Sequence, residues 1–290
     1  MLQIIARPIA GLFLGALIIS FSSVFVKLSQ VNPMVSAFYR VFFGCIFLSL
    51  MCGVKNEFKK MPLKQTLLAI LCGLVFGVDL FCWHFSIDYV GPGLATILGN
   101  CQVFVLALAG WLIYKEKLGV SFMLSLPLAL IGLYMVIGMD TAQLTPQYIA
   151  GIGFGILTAL SYSVFILLIR YVQSGKDSPI FFYQVVVTAA GSVFLCLVVI
   201  GAGHSFAIPS FSSLAALLGL GVLSQALAWV MISHFLPGVE ASRAGLILLL
   251  QPALSFVWDV ILFNRETGWA GWIGVTIVLI AIYMGMARKH

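Results

Sequence analysis

Residues 8–28 read PIAGLFLGALIISFSSVFVKL, and residues 148–168 read YIAGIGFGILTALSYSVFILL. Laid over one another at an offset of 140, Ala10-Gly11 meets Ala150-Gly151, Gly15 meets Gly155, and Ser23-Val24-Phe25 meets Ser163-Val164-Phe165. Each stretch is almost unbroken apolar sequence of the length, about 20 residues, that an α-helix needs to cross a bilayer. A spanning helix that occurs twice with the same small and polar positions points to a membrane protein built from a repeat.

The likeness extends outward from these two segments. Phe38-Tyr39-Arg40 matches Phe182-Tyr183-Gln184. Gly73, Asp79 and Trp83 match Gly219, Gln225 and Trp229, and Glu116 matches Glu266. Ten apolar stretches of spanning length run roughly over 8–28, 33–53, 66–86, 92–113, 120–139, 147–170, 179–201, 212–235, 240–263 and 269–287. Asn32-Pro33, Gly91-Pro92-Gly93, Ser178-Pro179, Pro209 and Pro237-Gly238 separate them. Residues 1–143 and 144–290 hold five spans each, and five is odd. The halves therefore face opposite ways. The expected fold is an all-α membrane protein of ten transmembrane helices in two inverted five-helix repeats. That is a transporter architecture, with the binding site near the midplane between the repeats.

Composition agrees. Of 290 residues, 62% are hydrophobic and 8% charged. A soluble chain carries about 25% charged residues, so this one cannot coat a water-facing surface. The net charge of +6 reflects topology rather than nucleic-acid binding. With a cytoplasmic N-terminus, the inner segments hold Arg7, Lys55, Lys59, Lys60, Lys64, Lys115, Lys117, Arg170, Lys176, Arg288 and Lys289. The outer loops hold only Lys27 and Arg265. The positive-inside rule then puts both termini on the cytoplasmic side of the inner membrane. The six cysteines lie in or beside apolar runs with no CxxC pair, which reads as reduced, buried thiols. The first span is too long for a cleavable signal.

The opening Ser22-Ser23-Val24-Phe25-Val26-Lys27-Leu28, Pro33 and Phe38-Tyr39-Arg40 resembles that of the EamA-type ten-helix exporters of the drug/metabolite transporter superfamily. So do Lys115-Glu116-Lys117-Leu118 at the end of span 4, Ile131-Gly132 in span 5, and Gln251-Pro252 with Glu266 in and after span 9. The chain departs from that pattern at Ser20-Phe21, where the family has Trp-Gly, and around Asn100-Cys101-Gln102, where it has proline. The small multidrug exporters' glutamate in span 1 is absent, so proton coupling through it does not carry over. The resemblance implies a secondary transporter of small metabolites and names no substrate.

Charges inside spans cost about 2.5–3.5 kcal/mol on insertion scales and need an explanation. Arg40 lies seven residues past Pro33 and Asp79 thirteen past Thr66. At about 1.5 Å per residue both fall roughly 4–5 Å outside the midplane. They form either a substrate or proton site or a fixed ion pair locking spans 2 and 3, and both readings remain open. Trp83 and Trp229 follow Asp79 and Gln225 by one turn, so each shares a face with its partner. They wall a cavity or belong to an interfacial belt. Asn100, Gln102 and Gln251 fall near the midplane as pocket lining or interhelical hydrogen bonds. Tyr39, Ser163 and Gln184 join the candidate substrate-binding set through the repeat. His84 and Asp79 are the candidates for proton coupling, with an interface histidine the plainer reading of His84. Glu116 and Glu266 read as rim salt bridges.

No zincin, nucleophile-elbow or Walker sequence occurs, so neither an enzyme nor ATP-driven transport is expected. No cofactor or metal is expected either. The reading is a secondary transporter working by alternating access, driven by a proton or substrate gradient. Its partners are the bilayer and a small polar substrate, foremost an amino acid or related zwitterion for export. The alternative is uptake or exchange of a nucleoside-like or cationic metabolite. The oligomeric state is open.

Overall fold

The computed structural model describes residues 2–58, 61–137, 145–174, 179–264 and 266–286. The expected inner charges Lys59, Lys60, Lys176, Arg288 and Lys289, and the outer Arg265, lie outside the described residues.

The chain is an all-α membrane protein. Ten apolar helices succeed one another: α1 Pro8–Ser29, α2 Pro33–Val54, α3 Leu63–Val90, α4 Leu94–Leu112, α5 Val120–Ile137, α6 Pro146–Gln173, α7 Ile180–Gly201, α8 Phe211–Gly238, α9 Ala241–Phe263 and α10 Trp269–Met286. All but the shorter α5 have the length and hydropathy to span a bilayer. Asn32 caps α2 by accepting from Met34 N at 2.9 Å, and Thr145 and Ser210 cap α6 and α8 through their hydroxyls. The Gly91-Pro92-Gly93 corner was expected as a break. The backbone stays helical through it, yet the chain folds back there: Ser86 of α3 and Leu98 of α4 both reach Gly155 of α6.

Among the described residues, four helices depart from regular α geometry. Helix α1 turns at Phe21, between Leu2–Ser20 and Ser22–Ser29. Helix α9 takes up the groups this exposes: Ser255 Oγ donates to Ser20 O at 3.0 Å and Trp258 Nε1 to Ser20 Oγ at 2.8 Å. Water cannot serve these groups in hydrocarbon, so a neighbouring helix must. Helix α4 breaks at Cys101 and α9 at Leu249. Pro252, lacking an N–H, cannot bond back to the carbonyl four residues earlier, which loosens α9 there. Helix α8 widens into a π-helix over Leu220–Leu227.

The helices pack in reciprocal pairs. The main pairings have counterparts when α1–α5 are exchanged for α6–α10 in order: α1 with α8 and α6 with α3; α1 with α9 and α6 with α4; α2 with α8 and α7 with α3. The pairs α2–α7, α4–α9 and α5–α10 map onto themselves. Small residues permit the closest crossings. A Cβ on Gly132 would lie 2.8 Å from Gly274 O, and one on Gly274 would lie 2.6 Å from Gly132 O. The crossing of α5 and α10 thus brings backbone against backbone.

Candidate functional site

Two bundle ends need names. The N face carries the start of α1, where Pro8 meets Gly238. The far face carries the end of α1, where Lys27 pairs with Asp259 of α9 at 3.1 Å. Below the breaks at Cys101 and Leu249, the N-face halves of α4 and α9 pack tightly, Gly245 against Leu106 and Val103. Above them, the far-face halves share no comparable contact. Both helices thus diverge from the point where both are broken.

Beside that point lies a polar cluster from α2, α3, α6 and α8. Arg40 Nε donates to Gln225 Oε1 at 2.9 Å, and the guanidinium lies 5.6 Å from the Phe76 ring centroid. The terminal nitrogens of Arg40 make no hydrogen bond among the described residues. Asp79 is 6% exposed, and its carboxylate likewise has no hydrogen-bond or ion-pair partner among the described residues. The two charges interact electrostatically, and both with Tyr162. They do not form the direct ion pair that was the structural reading of the sequence; Arg40 bonds to Gln225 instead.

Around them three buried donors lack partners: Tyr162 Oη, Trp229 Nε1 and Gln225 Nε2. Trp229 is packed edge-on to Phe165, Phe76 and Tyr162 at 4.7, 5.9 and 6.2 Å, and Phe76 stacks on Phe165 at 4.5 Å. In a low-dielectric interior, unsatisfied donors and unpaired charges are costly to keep. This cluster is therefore the candidate site for a ligand that would complete them.

The other expected residues sort differently. Trp229 is walled into the cluster rather than lying in an interfacial belt. Trp83 is partly exposed and sits edge-on to His84 at 5.2 Å. His84 is buried, with Nδ1 2.6 Å from Leu80 O, a bond within its own helix. Asn100 Nδ2 donates to Thr96 O at 2.8 Å, which turns it back on α4. Gln102 is buried with Oε1 unpaired, and Ser163 Oγ donates to Ala159 O at 2.7 Å and to Gln102 O at 3.4 Å, so these two meet at the α4–α6 contact. Gln251 is half-buried beside the break in α9. Tyr39 points to the far face, where its hydroxyl donates to Phe206 O at 2.7 Å and tethers the loop before α8.

Gln184 is fully buried and donates to Ser233 Oγ and to Trp229 O at 3.4 Å, joining α7 to α8. Interhelical bonds of this kind contribute about 0.6–1.7 kcal/mol each. Gln184→Met should therefore lower stability by about 1–2 kcal/mol while substrate affinity stays within about twofold. Thermal unfolding in detergent and the half-saturation constant for transport would measure the two separately.

Glu116 is not a rim salt bridge. It accepts from Ala241 N at 2.6 Å, Ser242 N at 3.1 Å and Ser242 Oγ at 2.7 Å, and so caps α9. Arg243 pairs locally with Glu240 at 2.8 Å. Sequence reading passed over Tyr162, Phe76 and Phe165. Tyr162 carried the one available signal, a hydroxyl-bearing ring directly beside Ser163 in a repeated span.

A ten-helix apolar bundle with a buried, incompletely bonded polar cluster has the make-up of a membrane transporter. Two stretches of the chain, residues 7–138 and 149–286, each match the EamA-like transporter family, and the chain belongs to that family. An uncharacterized transporter of Archaeoglobus fulgidus is 26% identical over 281 residues, covering 94% of each chain. The uncharacterized transporter YdfC of Bacillus subtilis is 23% identical over 278 residues, covering 95% of this chain and 86% of the other. A solved crystal structure superposes with a TM-score of 0.82 at 15% identity, covering 97% of both chains, and shows the same fold.

Proposed function

We propose that this chain is a secondary transporter exporting a small polar metabolite, an amino acid or related zwitterion, across the cytoplasmic membrane by alternating access. The N face is cytoplasmic, as the Lys/Arg distribution favours. Residues 1–143 and 144–290 act as two inverted repeats. The reciprocal helix pairing and the two family matches support that division.

The observation that carries the substrate class is a pair of opposite charges that do not bond to each other, the terminal nitrogens of Arg40 and the Asp79 carboxylate being without hydrogen-bond partners among the described residues. Arg40 presents free donors to a carboxylate, with Tyr162 Oη, Trp229 Nε1 and Gln225 Nε2 beside it. Asp79 presents a free carboxylate to an ammonium group. The rest of the wall is aromatic. The breaks in α4 and α9 put Gln102 and Gln251 at the level where the helices diverge. Asp79 is the site of coupling: it takes the proton or the substrate cation in turn. A second reading, a nucleoside-like or cationic substrate, draws on the ring cluster of Phe76, Phe165 and Trp229, which suits a planar ring or a cation.

Counterflow in proteoliposomes tests both. Vesicles are loaded with pooled amino acids, and entry of each labelled species is followed with and without a proton gradient. Saturable counterflow of one amino-acid class is the expected result. Saturable counterflow of nucleosides or organic cations alone would replace the first reading with the second. A flux that neither saturates nor exchanges would sink both.

A further inference from the structure

Arg40 Nε can only donate, so the atom that meets it at 2.9 Å must be the carbonyl oxygen of the Gln225 amide. That fixes the amide and leaves Gln225 Nε2 buried without a partner. The bond depends on a notch in α2. Gly44 lies one turn after Arg40 on the same face. A Cβ on Gly44 would lie 2.6 Å from Gln225 Cγ and 2.9 Å from Gln225 Cβ, inside the carbon contact distance of about 3.5–4.0 Å. A Cβ on Gly221, in the same π-helical stretch as Gln225, would lie 2.9 Å from Gly44 N. Backbone meets backbone here, and the Gln225 side chain spans from Gly44 to Arg40.

The repeat supplies a comparison. Exchanging the halves puts Gln184 at the place of Arg40, Thr188 at that of Gly44 and Asp79 at that of Gln225. There a β-branched side chain stands where the notch would be. Among the described residues the counterparts do not bond, and Gln184 donates to Ser233 Oγ and Trp229 O instead. Gln225 is also neutral. Its amide holds the guanidinium by one edge and leaves the charge uncompensated. A carboxylate at that position would form a charge-assisted pair and occupy it.

We propose that Gln225, seated in the Gly44 notch, is a positioning residue that sets the charge class of the substrate: it fixes Arg40 without neutralising it, so the site demands a carboxylate. This rests on the zwitterion reading above. The choice between amide and carboxylate at residue 225 then decides what the site takes. With the amide, Arg40 and Asp79 each offer a charge, and the complementary ligand is a zwitterion. With a carboxylate, Arg40 is occupied, Asp79 remains, and the complementary ligand is an amine without a carboxylate.

Counterflow of the pooled amino acids, inhibited by the same pool or by the matching amino-acid amides, reads this. The amides keep the ammonium group and lack the carboxylate. In the parent they should inhibit at least about tenfold more weakly than the acids, and Gln225→Glu should reverse that order. Gln225→Met keeps the volume and loses the acceptor; half-saturation should rise about tenfold with the maximal rate within about twofold. Gly44→Ala should resemble Gln225→Met and add little to it, because both act through one bond. Gln225→Met and Gln225→Glu suffice if Gly44→Ala fails to fold. A glutamine with only a structural role would lower the melting temperature and leave the order of acids and amides alone. An unchanged order in folded Gln225→Glu protein would overturn the proposal, as would losses in Gly44→Ala and Gln225→Met that add in full. Phenylglyoxal, which adds to arginine side chains, gives a reading without substrate. Arg40 is partly exposed, and mass spectrometry of its peptide follows the modification in nanodiscs. Gln225→Glu should slow it at least about fivefold and Gln225→Met should hasten it. Rates unchanged in both would overturn the proposal whatever the transport result. Changed rates in a chain without amino-acid counterflow would keep Gln225 as the residue that positions Arg40 and remove the transport reading.

Discussion

Counterflow by the Asp79→Asn and Arg40→Gln chains is expected to fall by at least about thirtyfold, and the exchanged chain Arg40→Asp/Asp79→Arg should not recover it. Removing one member of a buried, hydrogen-bonded charge contact costs about 2–5 kcal/mol in binding systems, which is tenfold for every 1.4 kcal/mol. The exchange separates the two readings that the sequence left open. A fixed ion pair tolerates reversal, because the attraction is unchanged. Here Arg40 bonds to Gln225 at 2.9 Å and Asp79 bonds to nothing described, so there is no pair to preserve. Reversal also puts a carboxylate opposite the Gln225 Oε1 that now accepts from Arg40, and the substrate then meets inverted polarity. Initial rates of counterflow, normalised to folded protein, would measure this. Recovery of more than about a third of the parent rate would show that the two charges serve the bundle and not the substrate.

The second large effect concerns the fold. Gly132→Leu or Gly274→Leu should eliminate most of the monodisperse protein. At this crossing the obstacle to a Cβ is a backbone carbonyl, 2.8 Å away in one direction and 2.6 Å in the other. A backbone carbonyl cannot rotate aside as a side chain can. Over-packing typically costs about 1–3 kcal/mol, and here relief requires prising α5 from α10, the main partner each of them has. Alanine at either position should be damaging and leucine worse. Gly153→Ala is the control, since nothing lies within 4 Å of a Cβ there. It should match the parent in gel-filtration profile and melting temperature. A Gly132→Leu chain that also matches the parent would show that α5 and α10 contribute little to assembly.

The number and order of the helices could be read from apolar run length alone, because a bilayer leaves few other solutions. The repeat was readable through glycine and polar positions at fixed offsets, and the matched positions Asp79 and Gln225 do fall on α3 and α8 in one cluster with Arg40. What apolar sequence specifies poorly is rotation about each helix axis. Asn100 bonds to its own helix and Tyr39 ties down a loop, although depth made the first a pocket candidate and the repeat the second. Glu116 was misread for a related reason. A carboxylate beside lysines suggests a salt bridge, and only the fold brings the N-terminus of α9, more than a hundred residues away, to meet it. Tyr162 went unweighed because one hydroxyl in an apolar span looks like packing until its neighbours are known.

The π-helical stretch of α8, Leu220–Leu227, has no match in α3, its partner by exchange. Such a turn is poorly favoured in itself and persists where its surroundings reward it. In the proposed carrier, one half therefore keeps a distortion that the other cannot mirror. The empty protein facing one side of the membrane is then not the energetic equal of the empty protein facing the other, and at rest it favours one of them. Apparent affinity scales with the fraction of molecules already facing the ligand. The half-saturation concentrations measured from the two sides should thus differ, although every step remains reversible.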